Sequence, residues 1–385
     1  MNNKYVTVIE MTPHNIKLLT GFEMNSTTYV MQCLEGEDLP VEGRFFDKKD
    51  AIESLQALIA TARNSLKMDI GPVILVLPAH NYFPKEEHES VIVESDYNTL
   101  SVNDYSTAAK RALKTSIKPG NVFFYSAPYG FTVDNNNSIM KNFPLDCHTN
   151  SLDIYVDNHS IDREAFEFYN LILDSINIKP YLTLISPYCA MQYYEKFGMP
   201  ESYLLLQLDK ENTYLSYSNG NRLYFSDIID GCYADVLKEY SESMNVPLER
   251  GQELIETFGF AGNFGFEYRT DEGQSMTDLS RRLALSFRPL SQKILDKIEE
   301  HQIAEDVPLY ISGSVSELFG IDAYYSKAFS RSSFVTKVKT LGAPKGCFDA
   351  CLGAIYIASM PYQQSLDKVR KRLSDYQLKE VTFDR

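Results

Sequence analysis

Cysteine and histidine are the side chains best able to hold a metal ion or attack an electrophile, and here neither is grouped for that work. The six cysteines, Cys33, Cys147, Cys189, Cys232, Cys347 and Cys351, are scattered among apolar neighbours. Cys347 and Cys351 lie four apart, on one face of a predicted helix, but no second pair completes a zinc site. Buried, reduced thiols fit this pattern, and a reducing cytoplasm fits buried thiols. The six histidines, His14, His80, His88, His148, His159 and His301, are far apart in sequence. No nucleophile motif surrounds any hydroxyl or imidazole. Neither a metalloenzyme nor a covalent hydrolase is expected.

Positive charge is clustered in two places. A helix predicted over 278–301 carries Arg281, Arg282, Arg288 and Lys293, which suit a solvated face or a docking surface equally. After Pro361, the segment SLDKVRKRLSDYQLKE sets Leu366, Val369, Leu373 and Tyr376 in a stripe, with Lys368, Arg370, Lys371 and Arg372 around it. This stretch is basic and amphipathic but has no bulky Trp or Phe anchor, so attraction to anionic lipid would outweigh insertion. A helix packed back on the protein, or a coiled-coil seam, explains the same stripe. The formal charge of −15 argues against a nucleic-acid partner, which needs clustered Lys and Arg. No segment reaches the roughly 18 apolar residues of a membrane span, and the chain enters a strand with no leader pattern. A cytosolic protein is expected.

The elements that position these groups fall into two lobes. At 385 residues with 44% apolar content, the chain exceeds a usual single domain and can bury a large core. Residues 5–9 read as a strand, followed by a turn at Thr12, Pro13 and His14, then strands over 15–22 and 28–33. An amphipathic helix over 50–67 follows, with Ile52, Leu55, Ile59, Ala62 and Leu66 on one face, then a buried strand, PVILVLP. Residues 98–180 read as an inserted helix–strand–strand–helix module, with helices over 102–116 and 162–175, the second capped by Asp162. The second lobe opens with SYLLLQL and NTYLSYS, turns at Asn219-Gly220, and returns through RLYFSDII. Helices are predicted over 234–243, 249–258 and 278–301, with the strand PLYISGS opening onto a helix at Val315 and a last helix over 347–359. No internal sequence repeat is obvious, yet both lobes open with a strand–turn–strand meander.

That layout resembles the actin-like superfamily and, in detail, the FtsA family of bacterial cell-division proteins, over residues 5–359. SVNDYSTAAKRAL, NVFFYSAPYGFTVDNNNSIMKNFPL and DREAFEFYNLILDSINIKPYLTLISPYCAM resemble the inserted subdomain of that family and the approach to its interlobe helix. SDIIDGCYADVLKEYSESMNVPLERGQELIETFGFA, PLYISGSVSELFGIDAYYSKAF and APKGCFDACLGAIYIA resemble successive parts of its second lobe. The resemblance implies an α/β, two-lobed actin-like fold of the duplicated ribonuclease H-like kind, with an FtsA/PilM-type insert in the first lobe. Its boundaries would be 1–97 with 181–200 for the first lobe core, 98–180 for the insert, 201–235 with 306–360 for the second lobe core, 236–305 for the small subdomain of that lobe, and 361–385 for the tail.

The same resemblance places a nucleotide cleft and shows how far its chemistry has changed. The first phosphate turn, DiGt.kik in the family, is EMTPHNIK here, with Glu10 for the aspartate, Thr12 for the glycine and Pro13 for the threonine. Proline has no N–H to offer a phosphate. The second turn, DiGggttDi, is QLDKENTYL, so Gln207 stands for the metal-binding aspartate, Asp209, Lys210 and Glu211 for the glycines, and Tyr214 for the second aspartate. Carboxylates there would repel a polyphosphate by about 1 kcal/mol or more per close pair. The ribose-contacting E..K pair falls on Gln252 and Ile255, and the adenosine loop keeps Gly313 and Gly320 but has Ser314 for its second glycine. No cofactor and no hydrolysis are expected; ATP is the ligand such a cleft would otherwise take.

The implied function is a non-enzymatic adaptor at the inner face of the cell membrane at the division site. Arg288, with Arg281 and Arg282, would receive the acidic-hydrophobic C-terminal tail of FtsZ, beside Phe264, Phe266 and Tyr268. The insert would support self-association, and Lys368, Val369, Arg370, Arg372 and Leu373 a weak contact with anionic membrane. A PilM-like scaffold gripping a peptide of a pilus-assembly membrane protein is the alternative. An active actin-like ATPase or sugar kinase is a third reading, against which the altered phosphate loops argue.

Overall fold

The computed structural model describes residues 5–360, apart from 43, 96, 113–117, 135, 137, 141–142, 266–268, 271–272, 337–339 and 344–345. The chain opens with strands β1 (Val6–Met11), β2 (Ile16–Met24) and β3 (Thr27–Glu35), then a two-residue pair, β4 (Val41–Glu42) and β5 (Phe45–Phe46). Helix α1 (Lys48–Leu66) starts where the Asp47 carboxylate accepts from the backbone N–H groups of Lys49 and Asp50. It ends at Lys67, whose left-handed backbone stops the helix. Ala51, Leu55, Leu58, Ile59 and Ala62 form its buried stripe, so the stripe is rotated from the predicted one and leaves Ile52 and Leu66 at its margins. Strand β6 (Val73–Leu77) is buried at every position, as an all-apolar central strand must be.

Next come β7 (Phe83–Ile92), α2 (Val102–Ala112), β8 (Asn121–Val133), β9 (Ser151–Asp162) and α3 (Arg163–Ser175). The order β7-β9-β8 makes one antiparallel sheet. Helix α2 begins with a reciprocal cap between Ser101 and Asp104. Its Tyr105, Ala108 and Ala112 pack with Val91, Phe131, Leu152, Ile154 and Val156. The predicted reading lacks β7, because the run PKEEHES on this edge strand carries charges where a half-buried strand would alternate apolar residues.

The chain continues through β10 (Leu182–Ile185), α4 (Ser186–Glu195), β11 (Ser202–Leu208), β12 (Thr213–Asn219), β13 (Arg222–Ile228), α5 (Tyr233–Met244), α6 (Leu248–Phe258) and α7 (Met276–Glu300). Strand β14 (Leu309–Ser312) leads into the helix predicted at Val315, which is a single 3-10 turn, Ser314–Glu317. Helix α8 (Ile321–Phe329), strand β15 (Ser333–Val335) and helix α9 (Asp349–Ser359) follow. Residues up to His80 and from Tyr169 to Ala354 form one compact unit. Asn81 to Phe168, with the described residues from Ile355, form another.

The first unit holds two five-stranded sheets with the same plan. Their orders are β3-β2-β1-β6-β10 and β13-β12-β11-β14-β15. In each, three antiparallel strands are joined by short turns and two parallel strands are added beyond the first. The parallel strands require crossover helices, which cover the sheet faces. The core of the second lobe runs from Leu204, Leu206 and Ile311 of the sheet to Tyr240 of α5, Leu254 of α6 and Phe287 of α7.

Candidate functional site

The duplicated plan gives two equivalent hairpin turns, residues 12–15 between β1 and β2, and residues 209–212 between β11 and β12. Each is closed by the same backbone bond, from Thr12 N–H to the Asn15 carbonyl at 3.0 Å and from Asp209 N–H to the Asn212 carbonyl at 2.9 Å. Thr12 is equivalent to Asp209, Lys17 to Tyr214 and Glu10 to Gln207. In the first turn the Thr12 hydroxyl donates to the Asn15 side-chain oxygen at 2.7 Å and accepts from the Asn15 N–H at 2.9 Å. That hydroxyl is engaged within its own turn.

The charged centre lies across the two turns. Asp209 Oδ1 accepts from the backbone N–H of Ser314 at 2.9 Å, and Asp209 Oδ2 stands 3.9 Å from Lys17 Nζ. Lys17 Nζ also donates to the carbonyl of Cys347 at 2.7 Å. Gly313 makes the approach possible, because a Cβ there would fall 2.5 Å from the Leu208 carbonyl oxygen and its φ of +85° disfavours other residues. Glu10 is buried at the end of β1 and accepts from the Ser186 hydroxyl at 2.8 Å and the Cys351 thiol at 3.4 Å. Asp349, in the first turn of α9, accepts from the Tyr194 hydroxyl.

Burial dominates the electrostatics. It raises the Glu10 carboxyl above its ordinary range, with Lys17 pulling the other way. It raises Asp349 to about 8 despite the bond from Tyr194. For Lys17, burial alone would favour the neutral amine, but Asp209 and Glu10 outweigh it and hold the proton on more tightly than in an ordinary lysine. The arrangement is one ammonium among four carboxyl groups, those of Glu10, Glu35, Asp209 and Asp349. A buried cation and a backbone N–H at a glycine turn are the groups that bind a small anion, and the Asp209 carboxylate already takes both.

The structure brings together Glu10, Asp209, Gly313 and Ser314 of the predicted cleft residues. Gln207 is buried beside them on β11, with its side-chain oxygen unpartnered. Gln252 is on the exposed face of α6, donating to Glu256 on the same helix, while Ile255 is in the core. Lys210 pairs with Asp38 at 2.7 Å and Glu211 at 3.1 Å, so only Asp209 of the two turn carboxylates meets Lys17. Arg281 and Arg282 both pair with Asp278, and Arg282 also donates to the Ser243 carbonyl. Arg288 is exposed, without a carboxylate partner among the described residues. Phe266, Tyr268 and the tail positions Lys368, Val369, Arg370, Arg372 and Leu373 lie outside the described residues.

Lys17 and Asp349 are the members that the family motifs do not point to. The signal was present: a lysine inside the apolar strand IKLL, and an aspartate opening the apolar helix DACLGAIYIA. Among the described residues, no group of three or more His, Cys, Asp or Glu is arranged to hold a metal ion, and no helix is long and apolar enough to cross a membrane.

Similar folds are found among solved structures. The fold is actin-like. A chain of the PilM–PilN type IV pilus biogenesis complex aligns over 93% of this chain and 99% of its own, with 14% identity and a TM-score of 0.58. The ethanolamine utilization protein EutJ from Carboxydothermus hydrogenoformans aligns over 92% and 90%, with 11% identity and a TM-score of 0.51. MreB5 of Spiroplasma citri, bound to ADP, aligns over 94% and 98%, with 9% identity and a TM-score of 0.50. No protein-family model matches the chain, and no curated protein sequence matches it. At these identities the likeness is one of fold.

Proposed function

We propose that the chain is a non-hydrolysing actin-like adaptor of the bacterial division machinery. Its second lobe binds the C-terminal tail of FtsZ, its inserted subdomain supports self-association, and its basic tail adds a weak contact with the inner face of the membrane. The carrying observation is the Asp209 carboxylate, bonded to Ser314 N–H and paired with Lys17. It takes a backbone N–H and a cation that an anionic ligand would need, which supports a cleft that works without a nucleotide. Arg288 supports the docking part: it stands near Leu285, which is 53% exposed, and Pro289 cannot supply the N–H that the Leu285 carbonyl would accept. An arginine, an apolar side chain and a backbone acceptor suit an acidic-hydrophobic peptide.

A second reading, a scaffold holding a peptide of a pilus-assembly membrane protein, is supported by the near-complete overlap with a chain of the PilM–PilN complex. One set of measurements tests both. Calorimetry with millimolar Mg·ATP is expected to detect no site, and micromolar affinity or steady hydrolysis would overturn the non-hydrolysing part. Fluorescence anisotropy with an FtsZ tail peptide and with cytosolic peptides of pilus-assembly proteins decides the partner. Saturable binding of the pilus peptide alone would transfer the chain to the second reading.

A further inference from the structure

We propose that the two lobes of the first unit are held closed by an internal clasp centred on Lys17, so that closure needs no bound ligand. The proposal rests on the adaptor reading of the cleft and adds how that cleft is governed.

Lys17 is on β2, where its register partners are Glu10 on β1 and Glu35 on β3, so the three side chains share one face of the first sheet. From there the ammonium reaches across to Asp209 of the second lobe at 3.9 Å and to the Cys347 carbonyl, in the segment leading to α9, at 2.7 Å. Its side chain is 4% exposed. Each carboxylate that faces it would repel the others if it were removed, and Glu10, Glu35 and Asp209 come from opposite sides of the cleft. The lysine therefore cancels one of these negative charges and attracts the others, which offsets much of their mutual repulsion. It does so from within the chain, with a cation that cannot dissociate.

A second line of contacts runs beside the first. Helix α4 follows the last strand of the first sheet, and α9 follows the last strand of the second. Their backbones meet at Gly353, where a Cβ would lie 1.8 Å from the Cys189 carbonyl oxygen. Tyr194 of α4 bonds Asp349 of α9, and it accepts from the Thr336 hydroxyl at 3.2 Å. Tyr193 bonds Thr340 at 2.6 Å. A hinge between the lobes would have to slide along this contact while separating Lys17 from Asp209. A buried ion pair adds little net stability; in this proposal its role is to favour the closed arrangement of the lobes.

Hydrogen exchange of the full chain, with and without Mg·ATP, tests the clasp, with calorimetry reporting nucleotide binding separately. In the wild-type protein the turn at 209–212 and residues 346–349 are expected to be protected, equally in both conditions. In Lys17→Met the same segments are expected to exchange at least tenfold faster, while β6 and β14 keep their protection. If Lys17→Met does not fold, Lys17→Met with Asp209→Asn, which leaves neither member of the pair charged, is read in its place. Unchanged exchange in a folded variant overturns the clasp. So does wild-type protein that binds no nucleotide yet exchanges as fast as the variant, and this result leaves the adaptor reading standing. Protection that appears only with Mg·ATP overturns both. Loss of FtsZ-tail binding with the exchange pattern intact removes the adaptor reading alone.

Discussion

The Tyr194 hydroxyl on α4 donates to the buried Asp349 carboxyl on α9, fixing an acid in the charged centre of the cleft. Burial holds the Asp349 proton up to about 8, whereas in the unfolded chain it leaves in the ordinary carboxylate range. The folded state thus binds the extra proton between those limits. Stability should fall as pH rises through that window, by up to about 1.4 kcal/mol per pH unit, and level off above it. Asp349→Asn keeps an acceptor for Tyr194 and removes the titration. Thermal melts from about pH 5 to about pH 9 should show the variant more stable than wild type at the alkaline end, with the gap closing toward acid. A gap that is constant with pH would place the proton elsewhere.

Gly353→Ala should destabilise the protein even though alanine is the better helix former by about 1 kcal/mol. The added methyl meets the Cys189 carbonyl at 1.8 Å, so one helix must move. A net loss of about 1–3 kcal/mol is expected, read as a lower denaturation midpoint with an unchanged slope. A stabilised variant would mean that the helices part easily.

Arg331 is 6% exposed, and its guanidinium donates to the carbonyls of Ile303, Ala304 and Val307 between α7 and β14. Arg331→Met leaves these acceptors unpaired and should cost about 3 kcal/mol. Arg331→Lys should recover little, because one ammonium cannot copy a planar fork. Equal urea midpoints for the wild type and the lysine variant would show that charge alone suffices.

Arg288→Glu should weaken binding of the FtsZ tail by about tenfold or more, as expected for loss of one charge-assisted contact worth about 1.5–3 kcal/mol. Arg281→Glu should matter less, since Arg281 is already paired with Asp278 at 2.6 Å. Anisotropy titrations on folded variants read both. Unchanged affinity for Arg288→Glu puts the docking surface on another face.

In liposome flotation, the full chain should bind anionic vesicles weakly and lose them on adding salt, and a version ending at Ser359 should not bind. The basic residues Lys368, Arg370, Lys371 and Arg372 supply up to about 1 kcal/mol each near an anionic surface. Equal flotation of the two versions would remove the tail from the mechanism.

The strands and long helices of both lobes were legible because their apolar periods are strong. SYLLLQL and VILVL are all but continuous, and α7 repeats its buried residues at helical spacing. Strand β7 was not legible, because its side chains answer to an edge and not to a core. The short β15 and α8 sit between turns and offer too few residues for a period. The altered turns could be read from EMTPHNIK and QLDKENTYL, yet the pairing between them could not. Lys17 and Asp209 are 192 positions apart, and only the packing of two separately formed sheets brings them together.

The two turns share a plan but not a charge. Lys17 is the counterpart of Tyr214, and Asp209 that of Thr12, so the ion pair joins positions that the repeat itself does not relate. A fragment carrying only the first sheet would hold Lys17 between Glu10 and Glu35 with no Asp209 to meet it, and one carrying only the second would leave Asp209 without its cation. Neither half could simply be replaced by a second copy of the other. The two halves are complementary and not interchangeable, so expressed as separate polypeptides they should fold into this arrangement only when both are present.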